Sequence, residues 1–463
     1  MPGLARTALV IAACLGGAGA AEAGGLDLDP VGPRAIGRAG AQVVSGDGGA
    51  ALLVNPAGLA RRGEARVQLG IGLHDLDADY RPADADASNS PTVADRSEPL
   101  AAPLVAASAS AGPLVIGAAV LVEGRLERAM PAPEFGQPEA DVARLFPHRY
   151  GGLELGYRRR TVVLGAAARV GEWLGVGLAA GASDILLRER RRIWAGFAGR
   201  DPLGSPARDL DLMIEGEDRL VPVASGGALI APPELPLEMA IGLSWSGDAY
   251  PDGRAVFTRT SDLPYPEPLA GPGDGGRPQA ETRVGGPTVL RGGVRYLGRR
   301  ITAELDGELV WYREAGKLPE WRTRDLAVRD QTGQTAPLGR VPSLVALRNH
   351  GAVRAAVDLE AVAGFLWLTA GYAYATAATA RAHLQPAWGD LGGHTAAVGA
   401  EASWNQITFT LGYARQMAPA ARLEPGEGLP FVNPFAAGTA PAAAGRHRRA
   451  RDSVALSVEV AWP

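Results

Sequence analysis

The sequence predicts an all-β protein, specifically a transmembrane antiparallel β-barrel of about 14 strands. Three observations lead to this fold class. Apolar and polar residues alternate along most of the chain after residue 63, the links between candidate strands alternate between long and short, and the chain begins with an export signal. In addition, no later stretch reaches the roughly 18 apolar residues that a membrane helix needs.

Alternation with a period of two is clearest in the segment 301–312. One face of this segment carries Ile, Ala, Leu, Gly and Trp residues, whereas the other carries the acidic row of Glu304, Asp306 and Glu308. Two segments near the C-terminus alternate in the same way. A strand with this pattern has one face in apolar surroundings and the other in polar surroundings.

The strands and their links follow a regular order. We predict fourteen strands, at residues 64–81, 99–111, 114–127, 150–171, 173–191, 209–229, 239–259, 281–298, 299–314, 343–362, 365–378, 394–405, 406–416 and 453–463. Long links rich in Pro and Gly alternate with short ones such as Gly112-Pro113. Loops at one end and tight turns at the other are typical of a membrane β-barrel, whereas a soluble β-sandwich gives no reason for this sorting. Splitting the two longest strands would give sixteen, but it would place two tight turns in succession.

Composition and motifs exclude several classes of function. The formal net charge of −4 argues against nucleic acid as a partner. The six histidines are scattered without metal-ligand spacing. The motifs G-x-S-x-G, the P-loop and G-x-G-x-x-G in a strand–helix setting are missing from the sequence. We therefore expect no enzyme, no metal and no cofactor. A Ser/His/Asp site assembled across strands remains the alternative.

The first residues read as a secretory signal, because Arg6 precedes an apolar run at 7–20 and the A-x-A cleavage site Ala21-Glu22-Ala23. We assign residues 1–23 to this signal peptide. The single cysteine, Cys14, falls inside it, and the alternative of a lipoprotein site at Cys14 would follow an unusually short apolar run. The mature chain is then free of cysteine, so its stability rests on no disulfide.

The stretch "GPRAIGRAGAQVVSGDGGAALLVNPAGLA" at 32–60 combines a Gly- and Ala-rich run, an acidic residue and an Asn-Pro-Ala turn just before the first strand. It resembles the N-terminal plug of the outer-membrane transporters for long-chain fatty acids and aromatic hydrocarbons, the FadL/TodX group. The stretches at 368–379, 389–404 and 407–416 are also similar to that family, whereas residues 80–280 match it only in the rhythm of strands and loops.

The resemblance implies three parts: the signal peptide 1–23, a plug (hatch) at 24–63 inside the lumen, and a barrel at 64–463. It implies passive uptake of a hydrophobic small molecule that enters between the long loops and leaves sideways beside a kinked third strand. The residues that it assigns to the plug motif are Gly37, Gly40, Asp47, Asn55, Pro56 and Ala57. On the third strand, Gly117 and Gly124 are the candidate kink points.

The resemblance also implies location in the bacterial outer membrane, with both termini in the periplasm. We expect a monomer whose partners are the hydrophobic ligand, membrane lipid, lipopolysaccharide and, during biogenesis, the barrel-assembly machinery. The apolar loop residues Leu145, Phe146, Leu429 and Phe431 are candidates for ligand capture, with packing of the loops as an equal alternative.

Several interpretations stay open at this point. The Asn55-Pro56 step is either a brace of the plug or an ordinary turn. The acidic row either pairs with inward arginines or contacts a cation or ligand headgroup. The basic clusters 188–194 and 446–451, predicted at or within loops, either are solvated or bind lipopolysaccharide phosphates. A general porin for polar solutes and a surface barrel acting as an adhesin or scaffold are the alternative functions.

Overall fold

The computed structural model of the chain describes residues 26, 32–61, 64–83, 91–197, 200–270, 279–435 and 443–462. The expected signal peptide lies outside the described residues. Within the described ranges, no helix is long and apolar enough to cross a membrane.

Fourteen long antiparallel strands form the wall of a closed barrel. They are β1 (Ala65–Pro82), β2 (Leu100–Ala111), β3 (Leu114–Ala129), β4 (Glu154–Val170), β5 (Leu174–Trp194), β6 (Asp209–Ile230), β7 (Leu237–Ser246, continued by Asp252–Arg259), β8 (Pro287–Leu297), β9 (Ile301–Tyr312), β10 (His350–Val362), β11 (Leu366–Ala375), β12 (Gly393–Trp404), β13 (Ile407–Met417) and β14 (Gly445–Trp462). The first and last strands pair along their whole length, from Ala65↔Trp462 to Pro82↔Gly445, and this pairing closes the barrel.

The predicted strand number of fourteen is therefore confirmed, and so is the sorting of the links. Six short turns join the strands at one end, which we call the turn end, and seven long links join them at the other, the loop end. The chain enters β1 and leaves β14 at the turn end. Short strands within the long links extend or cover the wall at Val93–Ala94, Glu267–Ala270, Ala280–Glu281, Glu320–Thr323, Leu326–Arg329, Thr335–Pro337, Arg340–Pro342 and Ala421–Leu423.

Some strand boundaries were wrong, most clearly at the last strand. β14 begins at Gly445 rather than at residue 453, so the basic cluster 446–451 lies on a strand and not within a loop. The cluster 188–194 likewise lies on β5. The wall continues beyond the apolar band of the barrel, and there an outward arginine meets water instead of lipid. Arginine-rich sequence can therefore still be strand.

The two faces of the wall differ as the alternation predicts. Outward side chains such as Leu164, Leu178, Ile241, Val398 and Leu411 are each more than 50% exposed. On β9 the outward residues are apolar, whereas the acidic row faces inward and is buried. A closed antiparallel barrel with an apolar outer band is the architecture of membrane-spanning β-barrels.

Candidate functional site

Residues 32–61, which we call the N-terminal segment, lie against the inner face of the barrel in its turn-end half. The segment contains the helices α1 (Pro33–Gly37) and α2 (Ala51–Val54) and the 3₁₀ helix Pro56–Arg61. Most of its residues are buried. Its contacts reach strands on every side of the barrel, including β3 to β8 and β11 to β13.

A set of inward glycines, which we call the glycine girdle, allows this close approach. On each of nine strands, a Cβ added to one glycine would come within 3.1 Å of an atom of residues 33–59. At Gly177 it would lie 2.4 Å from the carbonyl carbon of Pro56, and at Gly371 it would lie 2.3 Å from that of Arg38. The girdle consists of Gly117, Gly165, Gly177, Gly227, Gly242, Gly293, Gly371, Gly399 and Gly412.

Three buried carboxylates on β9 and β10 hold the first half of the segment, and we call Glu304, Asp306 and Asp358 the carboxylate anchor. The Arg38 guanidinium donates to Glu304 over 2.7 Å and also to Asp358. The Asp306 carboxylate accepts two backbone N–H groups, from Gln42 at 2.8 Å and Val43 at 2.9 Å. Arg38 is only 1% exposed, so this ion pair is shielded from water.

The remaining member of the acidic row behaves as an ordinary part of a polar wall. Glu308 pairs with Arg291 at 2.7 Å and with Arg354 at 2.9 Å, both on neighbouring strands. Two of the three predicted acidic residues thus contact the N-terminal segment, whereas Glu308 pairs with inward arginines.

The second half of the segment is fixed at β6 and β7. Arg61 makes two hydrogen bonds to Glu238 of β7, at 2.8 and 2.7 Å. The Asn55 amide donates to the Val43 carbonyl over 2.9 Å, and its oxygen accepts the Ala57 N–H at 3.2 Å. Asn55 is 1% exposed, and a Cβ on Gly227 would lie 2.0 Å from its side-chain oxygen. Asn55 therefore joins two parts of the segment where the segment meets the wall.

The other residues of the plug motif have separate places in the segment. Gly37 lies against Gly399 of β12, and Pro56 and Ala57 lie against Gly177. Gly40 has a φ of 89°, a conformation that glycine adopts without strain. The Asp47 carboxylate is 3.4 Å from the Arg34 guanidinium. The structure thus brings most of the motif to the inner wall, with Gly40 shaping a turn.

The third strand is irregular at the position of one candidate kink glycine. Its pairing with β4 shifts by one residue between Val122 and Gly124, whereas Gly117 pairs regularly with Gly165. On the other side, the described pairing of β3 with β2 ends at Leu104↔Leu121, and the next β2 residue, Pro103, has no N–H to donate. We call the interval between residues 100–103 of β2 and 122–129 of β3 the lateral window.

The loop-end half of the lumen has an apolar lining, which is unusual for a barrel interior. Inward side chains of β4, β5 and β6 and side chains of the link 313–349 form one buried cluster. Its members include Leu155, Tyr157, Leu187, Leu212, Ile214, Trp321 and Leu344. The link is held to β5 by Glu189, which accepts the Leu344 N–H at 2.9 Å.

A cavity of about 220 Å³ on the other side of the N-terminal segment is bounded mainly by polar groups. Its lining includes Arg34, Gln68, Glu401 and Glu459. The segment therefore separates an apolar region at the loop end from a polar cavity towards the turn end.

The apolar loop residues do not form one site. Phe431 is buried and stacks on Tyr150, with ring centroids 4.6 Å apart, whereas Leu145, Phe146 and Leu429 are half-buried. Close to this stack, His148 is buried and contacts the Pro131 carbonyl at 2.7 Å. Burial lowers the pKa of His148 to about 4, because the imidazolium would lose its hydration.

Sequence reasoning missed the glycine girdle and the carboxylate anchor. A signal for the girdle was available, since glycines recur at inward positions in the middle of strands, where glycine is disfavoured unless another backbone approaches closely. The anchor carried no such signal, because the pairing of Arg38 with Glu304 joins residues 266 positions apart in the chain.

Comparisons with known proteins show which solved structures share this fold. No protein-family model matches the chain, and no curated protein matches it. A FadL homologue from Pseudomonas aeruginosa, of known crystal structure, is 14% identical with a TM-score of 0.69, over 94% of this chain and 99% of that one.

Two toluene transporters of known structure are also similar. P. putida TodX is 13% identical, with a TM-score of 0.62 over 95% of this chain and 99% of its own. Ralstonia pickettii TbuX is 14% identical, with a TM-score of 0.59 over 93% and 98%. The FadL/TodX resemblance is thereby confirmed at the level of the fold, and two of these three neighbours are named as toluene transporters.

Proposed function

We propose that the protein takes up hydrophobic small molecules, such as long-chain fatty acids or hydrocarbons, through the bacterial outer membrane. The observation that carries this proposal is the apolar lining of the loop-end lumen, closed off by the N-terminal segment. An apolar ligand gains free energy from such a lining and none from a water-filled pore. The names of the structural neighbours, a FadL homologue and two toluene transporters, support the same class of ligand.

In this proposal residues 24–63 are the plug, residues 64–463 are the barrel, and residues 1–23 are removed on export. The plug-motif residues Gly37, Asn55, Pro56 and Ala57 support this role through their contacts with the inner wall. Passage is passive and ends at the lateral window, where the ligand leaves towards lipid. The missing β2–β3 rungs beside the shift at Gly124 support this exit.

Short turns and both chain ends at one end of the barrel support periplasmic termini. Cell fractionation with protease added to intact cells tests this orientation. Cleavage in the long links and protection of the turn end are expected. Recovery in the soluble periplasmic fraction would contradict the membrane location.

Uptake of radiolabelled oleate and toluene by cells lacking their own transporters tests the function. We expect accumulation above the empty-vector level for at least one of the two ligands. The control is equal uptake of a small sugar in both strains. Faster sugar entry without hydrophobic uptake would favour the porin. Neither activity in a correctly inserted barrel would favour an adhesin or scaffold.

A further inference from the structure

We propose that the side chain of Arg125 is a movable bridge from β3 to β2 across the lateral window, which we call the bar. We propose that the bar sets the size of the molecules that pass the window. The inference rests on the proposed function for its transport consequence, but the position of the bar is visible in the structure itself. Arg125 belongs to β3, just after the register shift between Val122 and Gly124.

At the lateral window, main-chain groups of β2 and β3 do not pair with each other and need other partners. A backbone N–H or C=O group that faces lipid without a hydrogen-bond partner is strongly destabilising. At the window, β2 and β3 do not pair beyond Leu104↔Leu121. A polar side chain that reaches across the window is one solution.

The Arg125 side chain makes this connection. Its guanidinium donates to the Ala101 carbonyl of β2 over 2.9 Å, and a second nitrogen donates to Glu127 over 3.1 Å. A hydrogen bond from an ionised donor is roughly twice as strong as a neutral one. One side chain thus connects β2 and β3 where main-chain rungs are missing.

The end of the window nearest the loops is held separately. Asp95, in the link between β1 and β2, accepts the Ala129 N–H at 2.9 Å and pairs with Arg128 at 2.7 Å, while its own N–H donates to the Ala78 carbonyl. These contacts of Asp95, which we call the strap, join β1 to β3 on the loop side of the window. Between the strap and the last β2–β3 rung, two arginines of β3 reach main-chain carbonyls across the interval: Arg128 donates to Leu76 of β1 over 2.6 Å, and Arg125 donates to Ala101 of β2. Arg125 is the one that contacts β2.

Residues of the lateral window line two small cavities. One, bounded by Leu76, Leu126 and Arg125 itself, adjoins the apolar loop-end region. The other is bounded by Ile36 of the N-terminal segment, Pro103 and Val122. In this proposal, movement of the Arg125 side chain opens the path between the two cavities, and every main-chain pair stays intact. Such a movement breaks only the hydrogen bonds of one side chain, whereas opening a strand ladder breaks several main-chain pairs.

The first experiment compares Arg125→Met with Arg125→Lys and wild type. Methionine has similar bulk but donates no hydrogen bond, whereas lysine can still donate. We expect Arg125→Met to raise the uptake of a bulky hydrocarbon relative to toluene by about tenfold, the factor set by losing one charge-assisted hydrogen bond. Lysine should restore the wild-type ratio. The matched control is Arg219→Met, on β6 and paired with Glu217 of its own strand, away from the window.

A second measurement does not depend on transport. A cysteine is placed at Val122, which is 8% exposed, and its labelling by a lipid-soluble maleimide is followed in vesicles. We expect Arg125→Met to speed labelling by about tenfold for the same reason, with no change for a cysteine at Ala118 in the paired part of β3. Arg125→Gln, too short to reach Ala101, replaces methionine if that variant does not fold.

The outcomes separate the two proposals. Faster labelling without wild-type uptake of any hydrophobic ligand would support the bar and overturn the proposed function. Unchanged labelling and an unchanged uptake ratio in a folded Arg125→Met barrel would overturn the bar while leaving the proposed function intact.

Discussion

At the residue scale, the buried hydrogen bonds of Asn55 favour a brace of the segment over an ordinary turn. Its oxygen caps the local turn at Ala57, but its amide crosses to Val43, twelve residues earlier. A turn residue needs only the first of these contacts. The second links the two halves of the N-terminal segment.

We expect Asn55→Ala to loosen the segment by about 1–3 kcal/mol, because a buried carbonyl and a buried N–H lose their partners. Hydrogen exchange at the Ala57 amide measures this change and should become faster by about tenfold or more. Leu53→Ala, at a half-buried neighbouring position, is the control and should leave exchange at Ala57 almost unchanged. Equal exchange rates in Asn55→Ala and wild type would show that the two hydrogen bonds contribute little to the stability of the segment.

A larger effect is expected for Arg38→Ala. This change leaves Glu304 and Asp358 buried without their cation, and breaking a buried ion pair typically costs about 3–5 kcal/mol. Single-channel recording in planar bilayers should show transient openings that the wild type lacks. Arg34→Ala is the matched control, since Arg34 is 32% exposed and its partners lie at 3.4 and 3.5 Å, so about 0–1 kcal/mol is at stake. Similar traces for both variants would contradict the role of the carboxylate anchor.

At the scale of elements, the strands were predictable because the period-2 pattern is local, whereas the girdle depends on contacts between distant elements. Alternation and link length placed all fourteen strands. The inward glycines look like weak points of single strands until the N-terminal segment lies against them. Glycine is needed at these positions because the N-terminal segment packs against them. The propensity of a residue for a single strand does not include such a contact.

The girdle predicts position-dependent effects of Gly→Ala. At Gly177 the added Cβ would lie 2.4 Å from Pro56, and overpacking of this kind costs about 1–3 kcal/mol. Gly307 of β9 has no atom within 4 Å of its added Cβ, so Gly307→Ala is the control. Urea unfolding from vesicles should show a lower free energy of unfolding for Gly177→Ala and an unchanged one for Gly307→Ala. Equal loss at both positions would mean that strand propensity, rather than contact with the segment, determines the cost.

We expect the stability of the folded link 130–153 to depend on pH, because it contains the buried His148. Its pKa in the folded link is about 4 and its ordinary value is 6.5, so the unfolded link binds the proton more tightly. The stabilisation is therefore complete above pH 6.5 and is lost as the pH falls towards 4, by up to about 3 kcal/mol. A spin label at Ala143→Cys should become more mobile over this range. In His148→Gln the mobility should not change with pH, and a persistent change would point to another titrating group.

At the scale of the whole molecule, the chain closes its lumen twice, by two different kinds of packing. The loop-end half is lined and narrowed by apolar side chains of the wall and of the link 313–349. The turn-end half is crossed by the N-terminal segment, whose contacts include buried ion pairs and close backbone packing. The resemblance at residues 32–60 implies a plug at the place of the second closure, and that role of the segment stays a prediction. The first could not be predicted, because inward apolar residues in a barrel become a core only when a distant link packs on them.

This double closure predicts a graded set of ion conductances in planar bilayers. The intact chain should conduct little, and deletion of residues 24–61 should raise the conductance only in part, because the apolar cluster still narrows the loop-end half. Deletion of both the segment and residues 315–342 should open the pore fully, since the two barriers lie in series and the smaller opening limits the current. Deletion of 315–342 alone is the control for loss of a loop. High conductance of the intact chain, unchanged by any deletion, would identify an open porin and contradict a gated route for hydrophobic molecules.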